Sequence, residues 1–328
     1  MATDAEVLFD SHCYIFYFVL FLARINCNLA GVIANGQPSL TAFTAAAARA
    51  AHLIVDDDPP IFADTLAEAM LGERAGELIG FHRAHGTHPI LAGARAQVTC
   101  RSRYTEDSLA DGIRRGIGQY VMLGAGLDSF ASRSRLASQI RVFEIDHPAT
   151  QEWKRRIAPV PDNVSFVPVD FARDSLRDRL RQAGFDFAVP AFVSWLGTAM
   201  YLEESAIGQT LAVTGGFAPG SEIVVDYMLP AGLRDAAGDS YAEQVGQASA
   251  EWGEPWLSLF APDEAAALLR RHGFGPVRDV GQRDMVPPPL WERTDSLRPA
   301  DLSRIAHARI PGGGFQEGGF QGAGGGQA

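Results

Sequence analysis

The chain has 328 residues, of which 47% are hydrophobic and 20% are charged. This composition supplies enough apolar surface for a packed core, so it excludes an intrinsically disordered protein. The formal net charge of −11 argues against a nucleic-acid-binding protein, because such proteins need a basic surface that attracts phosphates.

Residues 1–37 are expected to form an extension of undefined structure. They include an apolar run at 14–23, which is shorter than the roughly 20 residues of a transmembrane helix. Acidic residues precede this run, whereas a secretory signal begins with a positively charged stretch. The three cysteines are widely spaced, which fits a reducing compartment. We therefore expect a cytoplasmic protein without membrane contact.

The folded body is expected over residues 38–308, as one domain. Its first part is helical in character: residues 39–55 are rich in alanine, and residues 61–71 continue this pattern. Thr105 is a candidate N-cap for a helix that ends near Gly116.

Three histidines in this first part, His82, His85 and His88, are spaced three apart and could share one helical face. Gly86 and Pro89 interrupt that helix, and no carboxylate or cysteine accompanies the histidines. We expect a loop here and no metal site.

The second part alternates short apolar strands with helices. Such alternation predicts an α/β fold with a doubly wound, mostly parallel sheet. The expected strands are 119–123, 141–145, 164–169, 187–196 and 223–228, and the expected helices are 174–183, 203–215 and 262–272. Residues 309–328 are expected to be a disordered tail, because half of the residues from Pro311 onward are glycine.

The most informative segment is LGAGLDS, which directly follows the first apolar strand. Gly124 and Gly126 allow a tight turn and a close backbone approach to a ligand. Glu144 lies 20 residues after Gly124, and Asp146 ends the same strand. A carboxylate at this position accepts hydrogen bonds from a ribose diol, which predicts a nucleoside site.

A further acidic residue, Asp170, ends the next strand, where it could meet an adenine amino group while Phe171 packs on the ring. The identity of the nucleoside follows from the loop. Ser129 replaces the third glycine of a dinucleotide motif, and Asp128 would repel a diphosphate. S-adenosylmethionine, whose tail is an amino acid, suits this loop better than NAD.

The sequence from Ser39 to about Asp284 resembles the class I methyltransferases related to leucine carboxyl methyltransferase, especially their bacterial branch. The matching stretches are LTAFTAAAARAAHLIVDDDPPIFADTLAEAMLG, CRSRYTEDSL, VMLGAGLDS, VFEIDHPATQEWKR, VSFVPVDF and GTAMYL. This resemblance implies a seven-stranded Rossmann-like sheet, a helical cap over the substrate pocket, and S-adenosylmethionine as the cofactor.

The resemblance also implies roles for individual residues. Arg101 would bind the cofactor carboxylate, and Tyr201 lies where the family places its substrate. No catalytic residue and no metal are implied. The complete expected cofactor site is Arg101, Gly124, Ala125, Gly126, Asp128, Glu144, Asp146, Asp170, Phe171 and Trp195.

One departure from the family pattern follows Trp195, where relatives carry an acidic residue and this chain has Leu196. The expected function is methyl transfer to a carboxylate or hydroxyl of a small molecule, and a carboxylate acceptor needs no general base because it is already ionised at pH 7. Leu196 keeps open a non-methylating relative as the alternative. An NAD-dependent oxidoreductase is a second, weaker alternative. The oligomeric state is left open.

Overall fold

The computed structural model describes residues 39–171 and 173–312, and its central feature is a seven-stranded sheet. The strands are β1 (Gln119–Leu123), β2 (Arg141–Asp146), β3 (Val164–Pro168), β4 (Ala191–Trp195), β5 (Glu222–Met228), β6 (Val277–Gly281) and β7 (Ser303–Arg309). Their order in the sheet is β3-β2-β1-β4-β5-β7-β6. β1 to β5 are parallel, whereas β7 is antiparallel to β5 and β6. The predicted Rossmann-like, mostly parallel sheet is confirmed.

Helices connect the strands and cover the sheet. They are α1 (Leu40–Val55), α2 (Ala67–Met70), α3 (Ala75–His85), α4 (Pro89–Arg114), α5 (Phe130–Arg133), α6 (Pro148–Ile157), α7 (Leu176–Gln182), α8 (Glu204–Thr214), α9 (Ala236–Glu251) and α10 (Pro262–Arg271). Short 3-10 turns occur at Gly72–Arg74, Ala137–Gln139, Ala199–Tyr201, Gln282–Asp284 and Pro288–Trp291.

The two faces of the sheet are buried by different helices. α7, α8 and α10 pack on one face, and α4 and α5 pack on the other. Every residue of β1, β4 and β5 is buried, as expected for central strands covered on both sides. The helices α1, α3 and α9, which we call the helical cap, lie over the carboxyl ends of these strands.

Two helices that lie against the sheet begin with the same His-Pro pair. His88 Nδ1 accepts a hydrogen bond from the backbone N of Ile90 at 3.3 Å, at the start of α4. His147 Nδ1 does the same for the N of Ala149 at 3.3 Å, at the start of α6. Each ring satisfies a backbone donor that the first helical turn leaves without a partner, and proline fits the first helical position.

Two predicted helices differ from the observed ones. Of residues 61–71, only Ala67–Met70 form a helix, because Asp64 accepts hydrogen bonds from distant side chains and holds the preceding segment as a loop. Thr105 lies inside α4 and is no N-cap. Its hydroxyl donates to the backbone O of Arg101 at 2.7 Å, one turn earlier in the same helix.

The histidine segment is also more ordered than predicted. His82 and His85 lie in α3, and the loop is confined to residues 86–88. Across residues 39–171 and 173–312, no three histidine, cysteine or acidic side chains converge on a point that could hold a metal ion.

The predicted domain boundaries are shifted at one end. β7 continues through Arg309 and Ile310 is buried, so the folded body passes the expected limit at residue 308. The expected extension, residues 1–37, and the tail from residue 313 lie outside the described residues. Within the described part of the chain, no helix has both the length and the apolar character needed to span a bilayer.

Candidate active site

A cavity of about 500 Å³ lies at the carboxyl ends of β1, β2 and β4, beneath the helical cap. This is the point where the strand order reverses between β1 and β4, and parallel α/β sheets bind ligands there. One side of the cavity is formed by the loops after the strands. The other side is formed by α1, α3, α4, α9 and residues 252–256.

The loop after β1 brings its backbone unusually close to a neighbouring loop. Gly124 and Gly126 have φ angles of 65° and 54°, in the left-handed region that favours glycine. A Cβ atom on Gly124 would lie 2.2 Å from Oγ1 of Thr198. The backbone N of Gly126 donates to Oδ2 of Asp146 at 2.6 Å. The loop therefore has one conformation that only glycine permits.

A Gly124→Ala variant is expected to lose about 2 kcal/mol of stability or more, because the new methyl group meets both backbone strain and Thr198. Gly80→Ala is the matched control, since Gly80 lies within α3 with open space around it. That control should be neutral or more stable by roughly 0.5–1 kcal/mol. Urea unfolding of both variants measures the difference, and an unchanged Gly124→Ala protein would contradict it.

Of the acidic residues in the predicted site, three line the cavity and one does not. Asp128, Asp146 and Asp170 line the cavity, together with Ala125 and Phe171. Burial raises the pKa of Asp146, an effect opposed by hydrogen bonds from the backbone N of Gly126 and of His147. Oδ1 of Asp128 accepts from the N of Phe130 at 2.7 Å, which orients this carboxylate.

Glu144 and Trp195 do not line the cavity, unlike the other predicted cofactor-binding residues. Glu144 is 1% exposed, because it sits two residues before the end of β2 and is covered by α6. Its Oε2 pairs with Nζ of Lys154 at 2.7 Å. Trp195 points into the core on the face covered by α7 and α8.

Arg101 reaches the cavity from the middle of α4 and is held by a residue that the sequence did not single out. Its Nη1 donates to Oδ2 of Asp226 at 2.7 Å, and Oδ1 of Asp226 accepts from the N of Gly197 at 2.7 Å. Asp226 is 1% exposed. A single carboxylate within the apolar strand at 223–228 was the available signal, since such a residue must find a buried partner.

A second network joins the first cap helix to the glycine loop. Arg49, on α1, donates from Nε to Oδ2 of Asp64 at 2.8 Å and from Nη2 to the backbone O of Leu127 at 2.8 Å. The hydroxyl of Ser129 hydrogen-bonds to the same Asp64. Burial alone would raise the pKa of Asp64. The charge of Arg49 and the hydrogen bond from Ser129 have the larger effect, so the pKa of this carboxyl is lowered. Ser129 thus connects the loop to the segment after α1.

Comparison with known proteins shows which family the chain belongs to. Residues 42–215 match the leucine carboxyl methyltransferase family. The chain belongs to this family. A Mycobacterium tuberculosis (strain H37Rv) relative, provisionally named an S-adenosyl-L-methionine-dependent methyltransferase, is 32% identical over 262 residues, 72% of this chain and 80% of that protein. A Bacillus subtilis (strain 168) relative with the same provisional name is 29% identical over 301 residues, 84% of this chain and 98% of that one.

The fold is shared with a solved structure from Thermobifida fusca, provisionally named a methyltransferase. The TM-score is 0.56 at 18% sequence identity, covering 85% of this chain and 97% of the other. As a member of the leucine carboxyl methyltransferase family, the chain is an S-adenosylmethionine-dependent methyltransferase. The weaker oxidoreductase alternative is therefore wrong.

Leu196 occupies the position at which the family resemblance led us to expect an acidic residue. It is half-buried, lines the cavity and packs against the core on the α4 face. Trp195 on β4 is paired with Val225 on β5, so the residues that follow, Leu196 and Asp226, lie side by side. The buried carboxylate at this end of the sheet is thus carried by β5.

The cavity is rich in aromatic residues where the turn after β4 meets α9 and residues 252–256, a region that we include in the cap side. Tyr201 lines it together with Tyr241, Trp252, Glu254 and Trp256. Burial, together with the negative charge of Glu254, raises the pKa of Tyr201 to about 12. Tyr201 is therefore a neutral phenol at physiological pH.

His82 also lines the cap side of the methyltransferase cavity, and its protonation state is determined by its neighbours. Nη1 of Arg95 lies 3.3 Å from Nδ1 of His82. Arg95 itself binds Asp56 through two hydrogen bonds of 2.7 and 2.8 Å. Because arginine only donates, His82 accepts at Nδ1 and carries its proton on Nε2. Burial and the Arg95 charge lower the pKa of His82 to about 3.

The lowered pKa of His82 predicts a loss of stability on acidification. Below pH 6.5 the unfolded histidine takes up a proton that the folded protein excludes, so stability falls as the pH falls. Between pH 7 and pH 5, the wild type should lose about 2 kcal/mol more than His82→Gln, at 1.36 kcal/mol per pH unit below 6.5. Urea unfolding at several pH values measures both slopes. Equal slopes would contradict the assignment of a neutral His82.

Proposed function

We propose that this chain methylates an oxygen atom, in a carboxylate or a hydroxyl group, of a small-molecule acceptor. The observation that carries the proposal is a cavity in which the loops after the strands and the aromatic cap side face the same space. A space of about 500 Å³ beneath three helices suits small molecules. The name of the family refers to a carboxyl acceptor, which supports methylation of oxygen.

The side of the cavity formed by the strand loops offers groups that suit the amino-acid portion of S-adenosylmethionine. Gly124, Ala125 and Gly126 would lie against the methionine portion, because all three line the cavity in the loop after β1. Arg101 would bind the carboxylate of the cofactor, with Asp226 fixing the orientation of its guanidinium group.

The nucleoside portion of the cofactor would be held by the next two strand ends. Asp146 would accept hydrogen bonds from the ribose diol, and Asp170 with Phe171 would contact the adenine. Asp128 contributes negative charge beside a cofactor that carries a sulfonium and an ammonium group. These assignments follow the positions that the residues occupy around the cavity.

When bound, the cofactor supplies an electrophilic methyl group. The protein then needs to orient the acceptor and exclude water. A carboxylate acceptor is already ionised, so it needs no proton transfer. Tyr201 and His82 line the cavity as neutral groups, and His82 Nδ1 is occupied by Arg95. Neither is suited to act as a general base.

The test has two steps. Calorimetry should show binding of S-adenosylmethionine and S-adenosylhomocysteine and none of NAD. The protein is then incubated with methyl-labelled S-adenosylmethionine and a panel of carboxylic acids, alcohols, phenols and amines, and products are identified by mass spectrometry. Labelled esters or ethers support the proposal, whereas only N-methylated products would contradict it.

Cofactor binding without turnover of any acceptor in the panel would favour the non-methylating alternative raised by Leu196. A Leu196→Glu variant then restores the carboxylate of the family pattern. Turnover gained by this variant would show that the residue at position 196 limits methyl transfer in the wild type.

A further inference from the structure

The cap side of the cavity contains the carboxylate of Glu254, for which the described residues offer no positively charged partner. Glu254 lines the cavity, and its Oε2 is buried without a hydrogen-bond partner among residues 39–171 and 173–312. Among the described residues, no basic side chain lies within ion-pair distance of Glu254. Its backbone is fixed, because the N of Glu254 donates to the O of Ser249 at 2.9 Å and its O accepts from Ser249 Oγ at 2.5 Å.

The arginines that line the same cavity do not compensate this charge, because each has its own buried acid. Arg49 pairs with Asp64 at 2.8 Å, and Arg101 pairs with Asp226 at 2.7 Å. The buried acids are each 1% exposed at the side chain. His82 is neutral, with its Nδ1 facing Arg95. The cap side therefore keeps a negative charge that a ligand can neutralise.

Aromatic side chains line the same side of the cavity as Glu254. Tyr201, Tyr241 and Trp256 pack in one cluster with Met200 and Met228. All five line the cavity, and Trp252 lines it as well. Tyr201 lines the cavity with Glu254, and burial together with the charge of Glu254 raises the pKa of the phenol. Aromatic faces attract a cation, and the attraction is strongest where water is excluded.

We infer that the methyl acceptor carries a protonated amino group, which lies against Glu254 among the aromatic rings of the cap side. Glu254 is half-buried, and its buried Oε2 costs free energy while it has no partner. An ammonium group supplies both the opposite charge and hydrogen-bond donors. The inference rests on the proposed function and narrows it, since the acceptor then has an amine at one end and the oxygen to be methylated at the other.

The test measures binding alone. The protein is saturated with S-adenosylhomocysteine, checked by calorimetry, and titrated at pH 7 with benzylamine, benzyl alcohol and benzoate, which share one ring and differ in charge. Quenching of tryptophan fluorescence reports binding, because Trp252 and Trp256 line the site. Benzylamine should bind about tenfold or more tightly than benzyl alcohol, and benzoate should bind most weakly.

A Glu254→Gln variant should remove the preference for benzylamine over benzyl alcohol. Glu251→Gln is the control, because Glu251 is exposed at the end of α9 and does not line the cavity. Failure of benzylamine to bind, tighter binding of benzoate, or a preference that persists in Glu254→Gln would each overturn the inference. If S-adenosylhomocysteine itself does not bind, the proposed function fails, and this inference fails with it.

Discussion

An Arg101→Met variant is expected to bind S-adenosylmethionine about 100-fold more weakly than the wild type. The substitution removes the guanidinium group proposed to bind the cofactor carboxylate, and it leaves the buried Asp226 without its cation. Losing one member of a buried charge pair costs about 2–5 kcal/mol, which is roughly 30-fold to several thousand-fold in affinity. The expected 100-fold loss lies within this range. Isothermal titration calorimetry measures the change.

The control for this prediction is Arg103→Met. Arg103 lies on the same helix, but it pairs with Asp107 at an exposed position and does not line the cavity. Its loss should leave the affinity within about twofold, since exposed ion pairs contribute little. Equal weakening by both substitutions would contradict a specific role for Arg101.

A double variant, Arg101→Met with Asp226→Asn, separates the two effects of the first substitution. It removes the unpaired carboxylate and so restores part of the folding stability, but it does not restore a group that binds the cofactor. We expect its affinity to stay low. Recovery to the wild-type affinity would show that Arg101 only neutralises Asp226.

The second large effect concerns stability. A Lys154→Met variant is expected to lose roughly 3–5 kcal/mol of unfolding free energy, because it leaves Glu144 as an isolated charge in the core. Lys154 is 4% exposed and Glu144 is 1% exposed, and their side chains meet at 2.7 Å. Burial raises the pKa of Glu144, and Lys154 opposes this rise. Urea unfolding at pH 7 measures the loss.

The loss should be relieved in a double variant, Lys154→Met with Glu144→Leu, since replacing both members of a buried pair by apolar residues is often neutral. Acidification should also relieve the single variant in part, because protonation removes the charge of Glu144. A single variant within about 1 kcal/mol of the wild type would show that the pair does not contribute to stability in this way.

Much of the sheet could be predicted from the sequence. All five predicted strands exist, because each is a short apolar run bounded by turn residues. β6 and β7 were not predicted. Their burial is less uniform than in the central strands, and they pair as antiparallel neighbours at the edge of the sheet. These two segments form strands because they pair with each other and with β5, and their composition alone does not indicate it.

The candidate site likewise contains residues that could be predicted from the sequence and residues that could not. The glycine loop and the acids after β2 and β3 are local features, so Gly124, Asp146 and Asp170 could be placed at one end of the sheet from the order of the elements. Glu144 could not be separated from Asp146 in this way. The two residues differ by two positions and share one face of the strand, and only the packing of α6 covers the first.

The order of the apolar segments, taken from the sequence alone, determined the fold class and the place of the nucleoside-binding loop, and stretches such as VMLGAGLDS and VFEIDHPATQEWKR carried the family resemblance. These properties depend on neighbours along the chain, whose spacing determines the local structure. Only the tertiary structure decided which charges are paired. Arg101 pairs with Asp226, 125 residues away, whereas Glu254 has no cationic partner among the residues that the structure describes. Such contacts form because folding brings distant side chains into one water-poor space, where each charge needs a partner.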